Sequence, residues 1–207
     1  MARPFKHDHA TREALLVAAE QLLADGGPDA VSVRAVAELI DVSTRAVYSV
    51  FGSKGALIEA LAALGFGYLA DLVESVPVTD DPIADLVGTG VDGFRVFAVG
   101  RPHLFRLTFD HIGADIVRRP NVDPQLQRAL AALGARVSRV IESGQVSPRP
   151  SIEIAYMFHA FCHGLAATEL GRMPPPVGAG FWPMTAAMDI ERVWHDALDA
   201  FVRGLSE

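Results

Sequence analysis

Three groups of residues in this chain have the types and spacing to do chemistry. The first lies between Ser32 and Lys54, SVRAVAELIDVSTRAVYSVFGSK, where small hydroxyl side chains are interleaved with Arg34, Arg45, Tyr48 and Lys54 over two short helical patterns. Hydroxyls, an arginine and a tyrosine on an outward helix face suit phosphate oxygens and base edges, provided a companion helix holds that face out. The second group is His159 and His163, four apart on one helix face, with Cys162 beside them. These are metal-ligating types, but no acid joins them in a His-Glu-x-x-His arrangement, and a lone pair at this spacing also serves as hydrogen-bonded core. The third is Asp110-His111, an acid beside a base, with no Gly-x-Ser-x-Gly nucleophile signature to accompany it. No catalytic residue, metal or cofactor is therefore expected. The rival reading is a helical metal-binding protein or enzyme using His159, Cys162 and His163.

The elements that must position these residues read as helices throughout. Apolar residues recur at helical spacing and no run alternates with period two, so the expected fold class is all-α. A first helix, about 8–24, stops at Gly26-Gly27-Pro28. A second, about 33–40, takes Ser32 as its N-cap. After a short turn at Asp41 and Val42, Ser43 or Thr44 caps a third, ending near Val50 before Phe51-Gly52-Ser53. A longer helix follows over about 54–76, then others over about 82–99, 102–110, 124–143, 151–170 and 188–205. Residues 151–170 are apolar on nearly every side, which predicts burial on two faces. The expected division is a three-helix domain over 1–53 and a helical domain over 54–207.

Charge does not oppose a nucleic-acid reading. The net charge over 207 residues is −7, but residues 1–55 hold six cations against seven acids, and the remainder twelve against eighteen. A near-neutral first quarter with its cations at contact points is compatible with DNA. The charged N-terminus leads into no apolar signal region, and the single cysteine, Cys162, allows no internal disulfide, so a cytoplasmic location is expected. The uncharged stretch Ala60 to Ala70 falls short of the ~20 apolar residues a membrane span needs, so no membrane partner is expected.

In order, the chain has an N-terminal helix, a glycine-rich break, the capped S-V-R-A-V-A helix, the V-S turn, A-V-Y-x-x-F and S-K-x-A-L. This block resembles the helix-turn-helix domain of the TetR family of bacterial transcriptional regulators. The resemblance implies that Ser32 and Arg34 lie near phosphate, that Ser43, Thr44, Arg45, Ala46 and Ser49 face the major groove, and that Tyr48 and Lys54 touch the DNA backbone. Three positions depart from the family's habit. Asp41 stands where glycine is usual in the turn, tolerable because aspartate visits the left-handed region; Arg45 replaces a small residue and has the geometry to read guanine; Val50 replaces an aromatic. Further along, Phe158-His-Ala-Phe-Cys-His163-Gly-Leu resembles a C-terminal ligand-domain subtype of the same family, with aromatics ahead of His-Gly-Leu on the penultimate helix. The implied protein is a one-component repressor with a palindromic double-stranded operator and a small-molecule effector.

The expected effector site is apolar. Phe94, Phe97, Phe105, Phe109, Phe158 and Phe161 fall in the middle helices, and with Leu104, Met157 and Cys162 they form a wall set around a mostly hydrophobic ligand, oriented by one or two polar groups among Thr108, His111, Tyr156, His159 and His163. The plainer account of each phenylalanine is ordinary core. Homodimerisation is expected through the last two helices, from the stripe Ile190, Val193, Trp194, Ala197, Leu198, Phe201 and Leu205 together with the all-round apolar penultimate helix.

Overall fold

The computed structural model describes residues 9–111, 123–171 and 188–206. The fold is all-α, and among the described residues there is no strand. The helices are α1 (His9–Gly26), α2 (Val33–Leu39), α3 (Thr44–Phe51), α4 (Lys54–Ser75), α5 (Pro82–Gly88), α6 (Val96–Gly100), α7 (Pro102–Arg106), α8 (Pro124–Glu142), α9 (Ser151–Glu169) and α10 (Ile190–Arg203).

Contacts divide the chain into two compact units, with sequence bounds Met1–Phe66 plus Arg101–Asp123 and Gly67–Gly100 plus Pro124–Glu207. The division falls inside α4 rather than after Ser53. Two features explain the difference from the expected boundary: the first half of α4 buries Leu57, Leu61 and Phe66, and α7 packs against α1, which draws a later stretch of chain into the first unit.

In the first unit, α1 buries Leu15, Ala18, Ala19 and Leu23 and stops where Gly27 takes φ 71° ahead of Pro28. Helix α2 starts at Ser32, whose Oγ accepts from the Ala35 N–H at 3.1 Å. It ends in a left-handed closure: Asp41 has φ 53°, the amide of Val42 donates to the Ala37 carbonyl at 2.9 Å, and that of Asp41 to Glu38 at 3.3 Å. These two bonds satisfy carbonyls that a helix end otherwise leaves orphaned. Asp41 thus adopts the conformation for which glycine is the usual choice.

The second unit has a feature the helical periodicity does not predict. Between α5 and α6 the backbone runs as a π-helical segment, Thr89–Arg95, and a second such segment, Leu107–His111, follows α7 in the first unit. A β-carbon at Gly90 would lie 2.4 Å from Leu198 Cδ1 and 3.3 Å from Phe158 Cζ and Cys162 Sγ, so the missing side chain is what admits α9 and α10 this close. Arginines on α8 tie down the corner after α4: Arg128 pairs with Asp71 and Glu74, Arg136 reaches main-chain carbonyls of residues 73, 76 and 77, and Arg139 pairs with Asp85. Burial alone would raise the Asp85 carboxyl. The Thr79 hydroxyl and amide together with Arg139 overcome it and hold the group below the ordinary range. At the other end of this unit, Glu169 accepts from Arg95 at 3.0 Å and from Trp194 Nε1 at 2.8 Å.

Helix α4 is long and apolar enough to cross a membrane by length and composition. Leu57, Leu61, Ala62, Phe66, Leu69, Ala70 and Val73 are nonetheless buried within the protein, and Glu59, Asp71 and Glu74 interrupt the other side. It is a core helix.

Candidate nucleic-acid interface

Two short helices and a tight closure hold one face of α3 outward. Val47 and Phe51 are buried, 1% and 9% exposed, and anchor the inner side, while α2 contributes Val33, Val36 and Ala37 to the same core. The opposite face carries Ser43, Thr44, Arg45, Tyr48 and Ser49, all exposed. Ala46 is half-buried, so it stands at the edge of that face rather than in its centre. Of the five residues expected at the groove, Ser43, Thr44, Arg45 and Ser49 are solvent-facing and Ala46 is not fully so, and the separation of polar from apolar sides fits helical spacing.

The helix starts are built alike. Ser43 Oγ accepts from the Ala46 amide at 3.2 Å, and Ser53 Oγ from the Ala56 amide at 3.1 Å. A capping serine spends a lone pair on the helix and keeps its hydroxyl proton, so Ser32 and Ser43 can still donate to a phosphate. Lys54, exposed at the first position of α4, adds a cation to an end already favourable to anions.

Arg34 is held by a partner that the expected phosphate contact leaves out of account. Its Nε donates to Glu38 Oε1 at 2.7 Å, and this pair and its electrostatics raise the guanidinium further above its ordinary value. Both side chains are exposed. The i,i+4 spacing was the available signal. The bond uses Nε alone, so the Nη groups remain to reach a phosphate, against the repulsion of the nearby Glu38 carboxylate.

Residues 15–61, which contain this interface, match the family model described as bacterial regulatory proteins, tetR family, and residues 89–201 match that of a tetracyclin repressor-like C-terminal domain. The chain belongs to the TetR family of transcriptional regulators. It is a DNA-binding regulator of the helix-turn-helix type, as its residues 32–54 suggest. Among solved structures it is similar to a protein of unknown function from Rhodococcus sp. RHA1, at 25% identity and TM-score 0.74 with all of both chains covered. It is also similar to the TetR family regulator PfmR from Thermus thermophilus, at 19% identity and TM-score 0.62, covering 93% of this chain and 99% of that one. RolR in complex with resorcinol is similar at 17% identity and TM-score 0.61, covering 96% and 93%. No curated protein matches.

The residues expected to form an effector wall in this TetR-family chain are divided between the two units. Phe94, Phe97, Phe158, Phe161 and Cys162 belong to the second unit, whereas Leu104, Phe105, Thr108 and Phe109 belong to the first. In the second unit the Phe94 ring lies edge-on to Phe158 at 6.3 Å and to His159 at 5.6 Å, Phe97 meets Tyr68 at 5.4 Å, and Phe161 stacks on Phe201 at 5.0 Å. In the first unit Phe105 and Phe109 are 4.9 Å apart and Phe66 closes on Phe109 at 5.6 Å. Thr108 is buried and its hydroxyl donates to the Leu104 carbonyl at 2.8 Å. Met157 is half-buried. Tyr156 corrects the expectation: it is 73% exposed. Two residues from both Ile154 and Phe158, which are buried, it points about 200° away from them around a helix. The side chains of Asp110 and His111 lie outside the described residues.

The metal-site rival finds no geometry to support it. The His159 and His163 rings are 6.0 Å apart, but Cys162 turns into the core toward Gly90, and burial pushes its thiol far up, so the thiolate a metal needs is disfavoured. Among the described residues no three metal-ligating side chains gather. Burial first and the neighbouring His163 second push the His159 imidazole down to about 4. It is neutral at pH 7.

Proposed function

We propose that this chain is a cytoplasmic homodimeric repressor that grips a roughly palindromic operator with two copies of α3 and is released by a mostly hydrophobic small molecule. The observation that carries the reading is the outward face of α3, where Ser43, Thr44, Arg45, Tyr48 and Ser49 stand together above buried Val47 and Phe51. In the complex Arg45 reads a base edge, Ser32, Arg34, Tyr48 and Lys54 grip phosphates, and Ser43, Thr44, Ala46 and Ser49 line the groove.

Support for a dimer comes from α9. Ile152, Tyr156, Ala160, Gly164 and Thr168 recur every four residues, with Ile152 at 70% and Tyr156 at 73% exposed, and Ala160 and Gly164 also open to solvent. A helix expected to be buried on two faces is buried on one. The small residues at 160 and 164 leave room for a partner helix to approach. Helix α10 contributes less than its stripe suggests, because Trp194, Leu198 and Leu205 are already buried within the protomer; Val193, Ala197 and Phe201, half-buried, remain for the interface.

Support for an effector comes from the two π-helical segments, which hold Phe94 in one case and Thr108 and Phe109 in the other. Such segments concentrate at functional sites because they trade helix regularity for a displaced side chain. A protein of the same fold, RolR, takes the small aromatic ligand resorcinol. A compound that wedges between Phe94, Phe97 and Phe158 and prefers one conformer lowers operator affinity by the same coupling that DNA exerts on the compound.

The test is a footprint of the purified protein on the DNA upstream of its own coding region. A protected site with two-fold symmetry and half-sites about 34–36 Å apart or a multiple of that, lost on adding an apolar compound that also raises the melting temperature, is the expected result. Binding with no symmetry, or a concentration-independent monomer in sedimentation, refutes the dimeric form.

A further inference from the structure

Arg12 on α1 lies outside the helix-turn-helix stretch and outside the residues matched by the N-terminal family model, 15–61. Its guanidinium carbon sits 4.9 Å from the centroid of the Phe51 ring. Phe51 is the last residue of α3 and is 9% exposed, so the ring is a fixed platform. Directly after it the chain turns through Gly52 at φ 80°, caps α4 with Ser53 and presents Lys54 to solvent. Arg12 is itself exposed.

The charges around α3 are distributed unevenly. In the first unit Arg34 is paired with Glu38 and Arg101 with Glu20. Glu13, next to Arg12 in sequence, is taken by His9 at 3.2 Å. Among the described residues Arg12, Arg45 and Lys54 have no ion pair, and all three adjoin α3: Arg45 in its first turn, Arg12 over its last residue, Lys54 just beyond it. A guanidinium lying over an aromatic ring is restrained without spending its N–H groups, which project in its own plane. That is the preparation a phosphate contact asks for, because the entropy of ordering a long side chain has already been met.

We propose that Arg12 is a DNA-backbone contact, held on Phe51 and completing with Lys54 a phosphate grip at the C-terminal end of α3. The inference rests on the DNA-binding reading above. Arg12 carries affinity for any sequence and no base preference.

The test is fluorescence anisotropy of the full chain with two labelled duplexes, the DNA upstream of its own coding region and a random sequence, titrated between 50 and 200 mM salt. For Arg12→Gln the slope of log affinity against log salt becomes shallower by about 0.9 for each DNA-binding domain engaged, on both duplexes, so the fall across that fourfold salt range shrinks roughly threefold per domain. Arg12→Lys keeps the wild-type slope. If Arg12 merely braces Phe51, Arg12→Gln lowers the melting temperature and narrows the preference between duplexes while the slope stays at the wild-type value, and the proposal is overturned. A measurement on the unaltered protein guards against a variant that fails to fold: phenylglyoxal modifies exposed Arg12 in the free protein, and bound DNA protects it. Continued modification in the complex overturns the proposal. Failure of the wild-type protein to bind either duplex removes the DNA-binding reading itself.

Discussion

Replacing Arg136 by methionine should destabilise the second unit by about 2–6 kcal/mol, and the reason starts with Pro77. A helix carbonyl normally accepts from the amide four residues on, and for Val73 that residue is Pro77, which has no N–H. Arg136 supplies the missing donor: its Nη2 reaches the Val73 carbonyl at 3.0 Å and also bonds that of Val76, while Nη1 reaches the Pro77 carbonyl at 3.0 Å. Arg136 as a whole is only 6% exposed, with its guanidinium at the negative end of the α4 dipole. Methionine keeps the length and apolar stem and removes every donor, so the cost is that of the stranded carbonyls. Those of Val73 and Val76 are shielded and lose about 1–3 kcal/mol each, whereas Pro77 is exposed and its carbonyl rewets. The sum is a sizeable share of a typical domain stability of about 5–15 kcal/mol. Urea unfolding followed by circular dichroism gives the difference, and hydrogen exchange at residues 73–76 should accelerate. Arg136→Lys, with three donors on a shorter reach, should recover part of the loss. A methionine variant within about 1 kcal/mol of wild type, with unchanged exchange at the end of α4, would refute the argument that this arginine is the helix's C-terminal cap.

Three further outcomes are expected. Arg45→Ala should relax preference at one base position of the operator by about 1–3 kcal/mol, measured by competition among single-substitution duplexes; an unchanged ranking means Arg45 reads no base. Glu38→Gln keeps an acceptor for Arg34 but removes the negative charge at its 2.7 Å bond, and should tighten DNA binding severalfold at low salt, so weaker binding in anisotropy would show that the carboxylate positions Arg34 rather than competing for it. His159 sits near pKa 4 when folded against about 6.5 unfolded. Between those values only the unfolded chain takes up the proton, so stability falls as pH drops from about 6.5 to 4, by about 3 kcal/mol in total. Equilibrium unfolding across that range checks it, and His159→Gln should flatten the dependence.

What could be read from the chain and what could not separate along physical lines. Ser32 was legible as a cap, and Ser43 as one of two candidates with Thr44, because capping is a local bargain between a hydroxyl and an amide three residues on, and Asp41 was legible in its left-handed conformation because few residue types tolerate one. The π-helical segments were not legible: the apolar period through 82–99 suits an unbroken α-helix, and the departure is tied to how closely Leu198, Phe158 and Cys162 come to Gly90, a long-range event. The division within α4 was missed for a related reason, since nothing local in residues 101–111 says that α7 packs on α1.

Tyr156 shows the same limit from the other side. A helix apolar all round looks like one buried all round, yet among the described residues the fully buried side is that of Ile154, Phe158 and Cys162. The stripe from Ile152 through Tyr156, Ala160 and Gly164 is left to water unless a second surface meets it. Tyr156 presents an aromatic body with a hydroxyl at its tip, a form that suits an interface with one dry and one wet edge. The expected result for Tyr156→Glu is therefore a monomer in sedimentation with the unfolding midpoint of each protomer little changed, because the substitution adds charge on the face that the protomer's own core leaves uncovered. A dimer that survives it would move the two-fold axis away from α9 and leave the stripe without a role in assembly.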